Sequence, residues 1–419
     1  MTSVGPAGRT DRRHDISAST EPPPARQRGL RGTAAAAVVA LAFLVTMLGA
    51  TLPTPLYPLY EQELGFGGVM VTCIFAAYAV GVAAALLCFG RLSDQVGRRA
   101  VLLPGLVLAA VSSAVFLIPG DVPSLFVGRV LSGISAGIFT GTATATLVDL
   151  APEGRQQRYS LLAAVVNMLG LGLGPVLAGA LAQYAPAPLL LPYIVHIVLV
   201  LVVGVALFAI AEPITPAGGT VSFRPQRVSV PASVRGVFVS AAIAGFAGFA
   251  VLGLFTAVSP SFIGQVLHIS NHLVTGLVVF TLLGFSTLGQ VASAATGARP
   301  ALLVGCAALV VGVLVVGLSV AVASLWLLVA GAAVAGVGQG MSFRAGLGAV
   351  SAGSPPAQRS EVASSFFLVL YVAISLPVIG EGVASAAFGL VPSAVAFSVI
   401  VAVLAAIAFV SLLRRRDVG

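Results

Sequence analysis

The sequence predicts an all-α membrane protein of twelve transmembrane helices, arranged as two six-helix pseudo-repeats. Composition, block length and an internal echo predict it. Of 419 residues, 58% are hydrophobic and only 8% charged, with a mean hydropathy of +1.08, whereas soluble domains carry about a quarter charged residues. The apolar residues fall in blocks of roughly 20, the length that crosses about 30 Å of hydrocarbon at 1.5 Å per residue. The second half of the chain echoes the first at an offset of about 200 residues.

Taken in order, the apolar windows cover residues 36–58, 68–90, 101–120, 123–148, 160–183 and 189–211, then 236–258, 272–293, 300–319, 324–348, 361–385 and 390–412. Each is expected to be helical, because lipid offers no partner for an open backbone. Residues 1–31 are rich in Pro, Arg, Ser and Asp and are expected to be a disordered tail. The first apolar run is about 23 residues, longer than the hydrophobic region of a cleavable signal. The predicted bundles are 32–211 and 236–413, joined by a polar linker over 212–235 and followed by a tail over 414–419.

Charge sets the expected orientation. All 21 basic residues are arginine. With the N-terminus inside, every arginine except Arg129 and Arg344 falls in a cytoplasmic segment, and the external loops hold only Glu61, Glu63 and Asp121. This is the positive-inside pattern, and it places both termini in the cytoplasm of a multi-pass cell-membrane protein. The formal charge of +8 then reports topology, and no nucleic-acid partner is expected.

The linker, with Pro213, Pro216, Gly218 and Gly219, divides the helices six and six. Gly97 and Arg99 recur as Gly297 and Arg299, while Asp94 becomes Ala294. Thr54, Pro58 and Tyr60 recur as Thr256, Pro260 and Phe262, and Pro175 recurs as Pro377. Parallel duplicates of this kind place a substrate site between the halves near mid-membrane and work by rocking one half against the other.

No nucleotide-binding loop, zinc spacing or catalytic constellation occurs, so neither an enzyme nor an ATP-driven pump is expected, and no metal or cofactor. Cys73, Cys88 and Cys306 lie within spans and read as small hydrophobes. A small-molecule substrate, lipid and protons are the expected partners of a monomer.

Chemistry concentrates in a few places. In Gly90-Arg-Leu-Ser-Asp94-Gln-Val-Gly97-Arg98-Arg99-Ala, Gly97 permits a tight turn and Gly90 a close helix approach. Asp94 can accept from Arg98 or face a helix N-terminus. The run resembles the signature loop after the second helix of the major facilitator superfamily, G-x-L-a-D-r-x-G-r-r/k, with Gln95 at a common Arg position. The resemblance implies that fold, a loop that latches the two halves on the cytoplasmic side, and a partner carboxylate at the end of the fourth span, here Asp149.

Arg129 lies early in the fourth span, in Arg129-Val-Leu-Ser-Gly133. A guanidinium in a spanning helix must face protein or water, or snorkel to the interface. The run resembles the family's second motif, R-x-x-q-G-x-g, with Ser132 for Gln, and in proton-coupled relatives that arginine is associated with proton transfer. Gly170-Leu-Gly-Leu-Gly174-Pro175-Val-Leu-Ala-Gly179 is similar to the g-x-x-x-G-P-x-x-G-G motif of antiporters, with Ala178 at a usual Gly. Small residues there allow tight packing and Pro175 a bend. Leu48-Gly49 through Pro55 and Pro58 resembles a motif of twelve-span drug:proton antiporters.

Proton coupling needs a titratable group, and the first span has no Asp or Glu. Glu381, between Gly380 and Gly382, is one candidate, either as a proton carrier or as an edge residue reaching water. His196 is another, either titrating or held structurally. Tyr57 and Phe255 are expected near the outer ends of cavity-lining spans. Arg344 is expected to contact an anionic substrate or to snorkel. The reading is a proton-coupled efflux antiporter of drug-like or metabolite molecules, of the kind that gives multidrug resistance, with a lipophilic neutral or anionic substrate. The alternatives are a proton-coupled importer of the same fold and a non-transporting receptor or scaffold.

Overall fold

The computed structural model describes residues 2–3, 29–89, 92–118, 120–214, 228–355 and 358–414. The expected tail over 1–31, the centre of the linker, Gly90 and the last five residues lie wholly or mostly outside them. Twelve helices are long and apolar enough to cross a membrane, one for each predicted window. They are α1 (Gly32–Thr51), α2 (Gly68–Phe89), α3 (Arg98–Leu117), α4 (Val122–Asp149), α5 (Gln156–Tyr184) and α6 (Leu191–Phe208) in the first half. The second half holds α7 (Arg235–Ala257), α8 (His272–Ala294), α9 (Ala298–Ala321), α10 (Leu325–Gly353), α11 (Arg359–Phe388) and α12 (Leu390–Arg414).

The repeat is visible in local geometry. Both α1 and α7 are extended by a short helix with a proline as its second residue, Pro58 in Tyr57–Leu64 and Pro260 in Ser259–Gln265. Proline suits a first turn because the N–H it lacks has no helical partner there. Pro175 and Pro377 both sit inside their helices, α5 and α11.

An even number of crossings returns the chain to the face it started from, which we call the arginine face; the opposite one is the far face. Large apolar side chains such as Val205, Phe208, Leu201 and Ile400 point outward, as expected of helices solvated by lipid rather than water.

The halves meet chiefly along α5 with α8 and α2 with α11, and both contacts lie toward the far face. Gly276 of α8 packs on the Pro175 carbonyl, Gly179 of α5 on the His272 carbonyl, and Gly382 of α11 on the Thr72 side chain. A Cβ at any of these positions would collide with its neighbour, so small residues let the helices touch backbone to backbone. The His272 amide donates to Gln183 Oε1 (3.0 Å) at the end of this seam. Toward the arginine face α5 and α8 part and, with α4 and α10, enclose a vestibule.

Candidate functional site

The loop before α3 is a brace on the arginine face. Gly97 has φ of 105°, in the region that favours glycine, and this turn starts α3 with its first amides exposed. The Glu212 carboxylate, just past α6, accepts from the Arg98 amide (2.6 Å) and the Arg99 amide (3.1 Å). A negative charge at a helix N-terminus is favourable. The Arg98 guanidinium binds Asp94 Oδ1 (2.6 Å) and Asp149 Oδ2 (2.8 Å), and donates to Ser93 Oγ (2.6 Å). Arg98 is buried, whereas the Asp94 side chain keeps 60% of its exposure. Arg99 turns away, donating to the Ile210 carbonyl (3.2 Å) and lying over the Phe208 ring. The loop, the end of α4 and the exit of α6 are thereby tied together. Leu30 joins them, pairing with Ile210 in a parallel bridge.

Glu212 was not legible in the sequence. It acts across 114 residues of chain, and its only signal was a lone acid next to a proline at the end of a span.

Gly174 and Pro175 interrupt the hydrogen bonding of α5 where it is stapled to α1. Proline has no N–H to give the carbonyl four residues back, and that carbonyl, on Leu171, accepts instead from the Thr51 hydroxyl (2.7 Å). Gly174 lets α5 lie directly on the Leu48 carbonyl and Thr51. Backbone freed inside a membrane must be satisfied by such a neighbour.

Arg129 does not snorkel. It is 2% exposed and lies at the apex of a cavity of about 40 Å³ between the halves. Nη1 donates to the Ala50 carbonyl (2.6 Å), the guanidinium stacks over Tyr78 (4.6 Å) and Phe75 (5.4 Å), and Nε has no partner. No carboxylate lies within ion-pair distance of it among the described residues. Its partners are thus a backbone carbonyl and two rings rather than an acid. Phe249, Phe343, Phe367 and Tyr371 close the cavity, and Tyr371 faces Thr140 across the halves.

Below the cavity, sharing Thr140, Asn167, Met168, Phe343 and Phe367 with it, lies the vestibule of about 770 Å³. Arg344 lines it, half-buried, and Asp149 stands near its mouth.

Other candidates are placed elsewhere. Tyr57 and Phe255, expected along the cavity, are 2% and 1% exposed and belong to the apolar core cluster rather than to the lining. Phe255 sits near the end of α7 and Tyr57 opens the short helix after α1, and both turn their rings into packed core rather than into the cavity. Glu381 does not reach bulk water: it is buried and accepts from Ser393 Oγ (2.8 Å) on α12. It lines a lateral apolar pocket of about 600 Å³ between α7, α11 and α12, apart from the central cavity. His196 is held between helices, with Nε2 donating to the Val45 carbonyl (3.0 Å) and Nδ1 2.7 Å from Ser113 Oγ. Gly49 makes room for its ring. No cluster of metal ligands occurs among the described residues.

Comparison with known proteins agrees with this geometry. The family profile described as Major Facilitator Superfamily matches residues 39–376. The Quinolone resistance protein NorA of Staphylococcus aureus is 29% identical over 167 residues, 38% of this chain and 42% of that one. The Putative multidrug resistance protein MdtD of Salmonella paratyphi B is 26% identical over 148 residues, 35% of this chain and 32% of its own. The chain thus matches less than half the length of these curated relatives. Among solved structures, a bacterial homologue of the human lysosomal transporter Spinster, inward-facing and unoccupied, superposes with a TM-score of 0.70 at 14% identity, covering 90% of this chain and 96% of that one. The human organic anion transporter MFSD10 gives 0.61 at 18% identity, covering 90% and 99%. With two six-helix halves, a cavity between them and a family profile over most of its length, the chain belongs to the major facilitator superfamily.

Proposed function

We propose that this protein exports a lipophilic small molecule from the cytoplasm in exchange for protons, by alternating access. The observation that carries the reading is the shape of the space between the halves. The vestibule joins the central cavity from the arginine face, which the positive-inside rule assigns to the cytoplasm. The hollow of about 570 Å³ between α2, α7 and α11 on the far face shares no lining residue with that cavity and is divided from it at the level of the glycine contacts. A substrate therefore enters the vestibule from inside, and rocking of the halves around the cavity delivers it outward. The Gly174–Pro175 hinge in α5, set against α8, is where the seam would open. The relatives named for quinolone and multidrug resistance favour efflux over import.

Arginine keeps its proton in proteins, so Arg129 positions charge rather than carrying protons. Glu381 is the one buried acid among the described residues, and it has a hydroxyl partner rather than a cation. It is the proposed proton carrier. The test uses proteoliposomes with an imposed pH gradient, comparing wild type with Glu381→Gln. Gradient-driven uptake of a quinolone should fall at least about tenfold while exchange without a gradient persists. Wild-type rates with unchanged pH dependence in the variant would remove Glu381 from the coupling step.

A further inference from the structure

The charges along the substrate path are all of one sign once the pairs are removed. No acid lines the central cavity, and the vestibule has only Asp149, whose carboxylate is taken by Arg98. Against these stand two guanidinium groups, Arg344 along the vestibule and Arg129 at its apex.

Arg129 is the more telling. A cation buried in a membrane protein is costly unless paired, and spanning arginines ordinarily meet an acid or a full set of acceptors. Here the guanidinium has one carbonyl and two ring faces, and its Nε is buried without an acceptor. A planar donor fork on a side chain that lines the cavity, with one buried N–H left without an acceptor, matches a carboxylate or a similar planar anion. The space beside it, about 40 Å³, admits a headgroup and not a ring system. The rings would lie lower, where Phe343 and Phe367 line both spaces.

We propose that the substrate is an amphiphilic organic anion, held with its acidic head on Arg129 and its aromatic body between Phe343 and Phe367, and drawn into the vestibule past Arg344. This deepens the reading of the cavity as a substrate path and rests on it. It also fits the driving force: moving one negative charge outward along an inside-negative potential releases about 2.3 kcal/mol per 100 mV.

The test is equilibrium binding to the full chain in nanodiscs, with empty discs subtracted. The probes are 2-naphthoate, methyl 2-naphthoate and 2-naphthylmethylammonium, which share a ring and differ in charge. Wild type should bind the acid at least about tenfold tighter than the ester and should bind the ammonium weakest. Arg129→Gln should erase the preference while leaving the ester unchanged, and Arg344→Gln, measured by stopped-flow mixing with the same discs, should slow association of the acid alone. Equal binding of acid and ester by wild type, or an undiminished preference in Arg129→Gln, would overturn the proposal. Should Arg129→Gln fail to fold, Arg129→Lys decides. It keeps the charge without the fork, so the preference should shrink but survive; an unchanged preference there would equally refute the fork. No gradient is used, so the two readings fail separately. If the preference holds but naphthoate is not moved in proteoliposomes, the transport assignment falls and the anion site stands.

Discussion

The loop entering α3 and its twin entering α9 occupy the same place in the two halves and are built differently. The first turns on Gly97 at a φ of 105°, with Glu212 on its amides and Arg98 shared by Asp94 and Asp149. The twin turns on Gly297 at a φ of −64°, which any residue can adopt. Its aspartate position is Ala294, and among the described residues Arg299 is seen to bond the Leu413 carbonyl at 3.4 Å. One half is braced by charge and the other by packing. Both folds close equally well, so the brace is not needed for the six-helix architecture. Its exposed acid, Asp94, is the member with room to take a new partner when the arginine face closes.

Exchanging the features of the two loops should therefore have unequal effects. The largest is expected for Asp94→Asn, which should abolish transport in vesicles while leaving insertion and melting temperature unchanged. An exposed ion pair adds no more than about 1 kcal/mol to stability, so full transport by this variant would end the assignment of a latch. Placing an acid in the twin, by Ala294→Asp, should leave transport within about twofold. Next comes Gly97→Ala, which forces a Cβ into a strained backbone and to within 2.9 Å of the Glu212 carboxylate; it should cost about 1–3 kcal/mol in thermal unfolding. Gly297→Ala, whose Cβ would meet nothing nearer than Pro300 at 3.6 Å, should stay within about 0.5 kcal/mol. Equal costs at the two glycines would erase the distinction drawn here. The smallest effect belongs to Glu212→Gln, which keeps the shape of the cap and removes its charge, at about 1 kcal/mol.

The parts legible in the sequence were those that depend on neighbours along the chain. Span lengths follow from runs of apolar residues, the Asp94–Arg98 contact from two residues four apart in one loop, and Asp149 entered only through the resemblance of that loop to a family motif. Helices that are apolar nearly all round carry no stripe to show which side faces the partner half. That is why Tyr57 and Phe255 were expected in the cavity, while Phe343, Phe367 and Tyr371 went unnoticed. Glu381 illustrates the same limit: its depth could be counted along α11, but not the turn of the helix that points it to α12. Glu212 and Thr51 act at separations of 114 and 120 residues, and no local pattern announces either.

Ala50 and Thr51 are consecutive residues of α1. The first holds Arg129 through its carbonyl, and the second closes the gap that Pro175 leaves in α5. A load on the guanidinium is therefore felt one peptide away from the hinge, with no intervening side chain to absorb it. In mechanical terms α1 is a crank whose two pins are adjacent. A group that draws Arg129 off Ala50 is expected to loosen the neighbouring Thr51–Leu171 contact, so that occupancy of the cavity and bending at Pro175 occur together. Thr51→Val, which keeps the bulk and removes the hydroxyl, should leave binding intact while uncoupling it from movement. Distance changes between labels on α5 and α8, read by spin-label spectroscopy, would then no longer follow ligand addition; an unaltered response would show that the two pins turn independently.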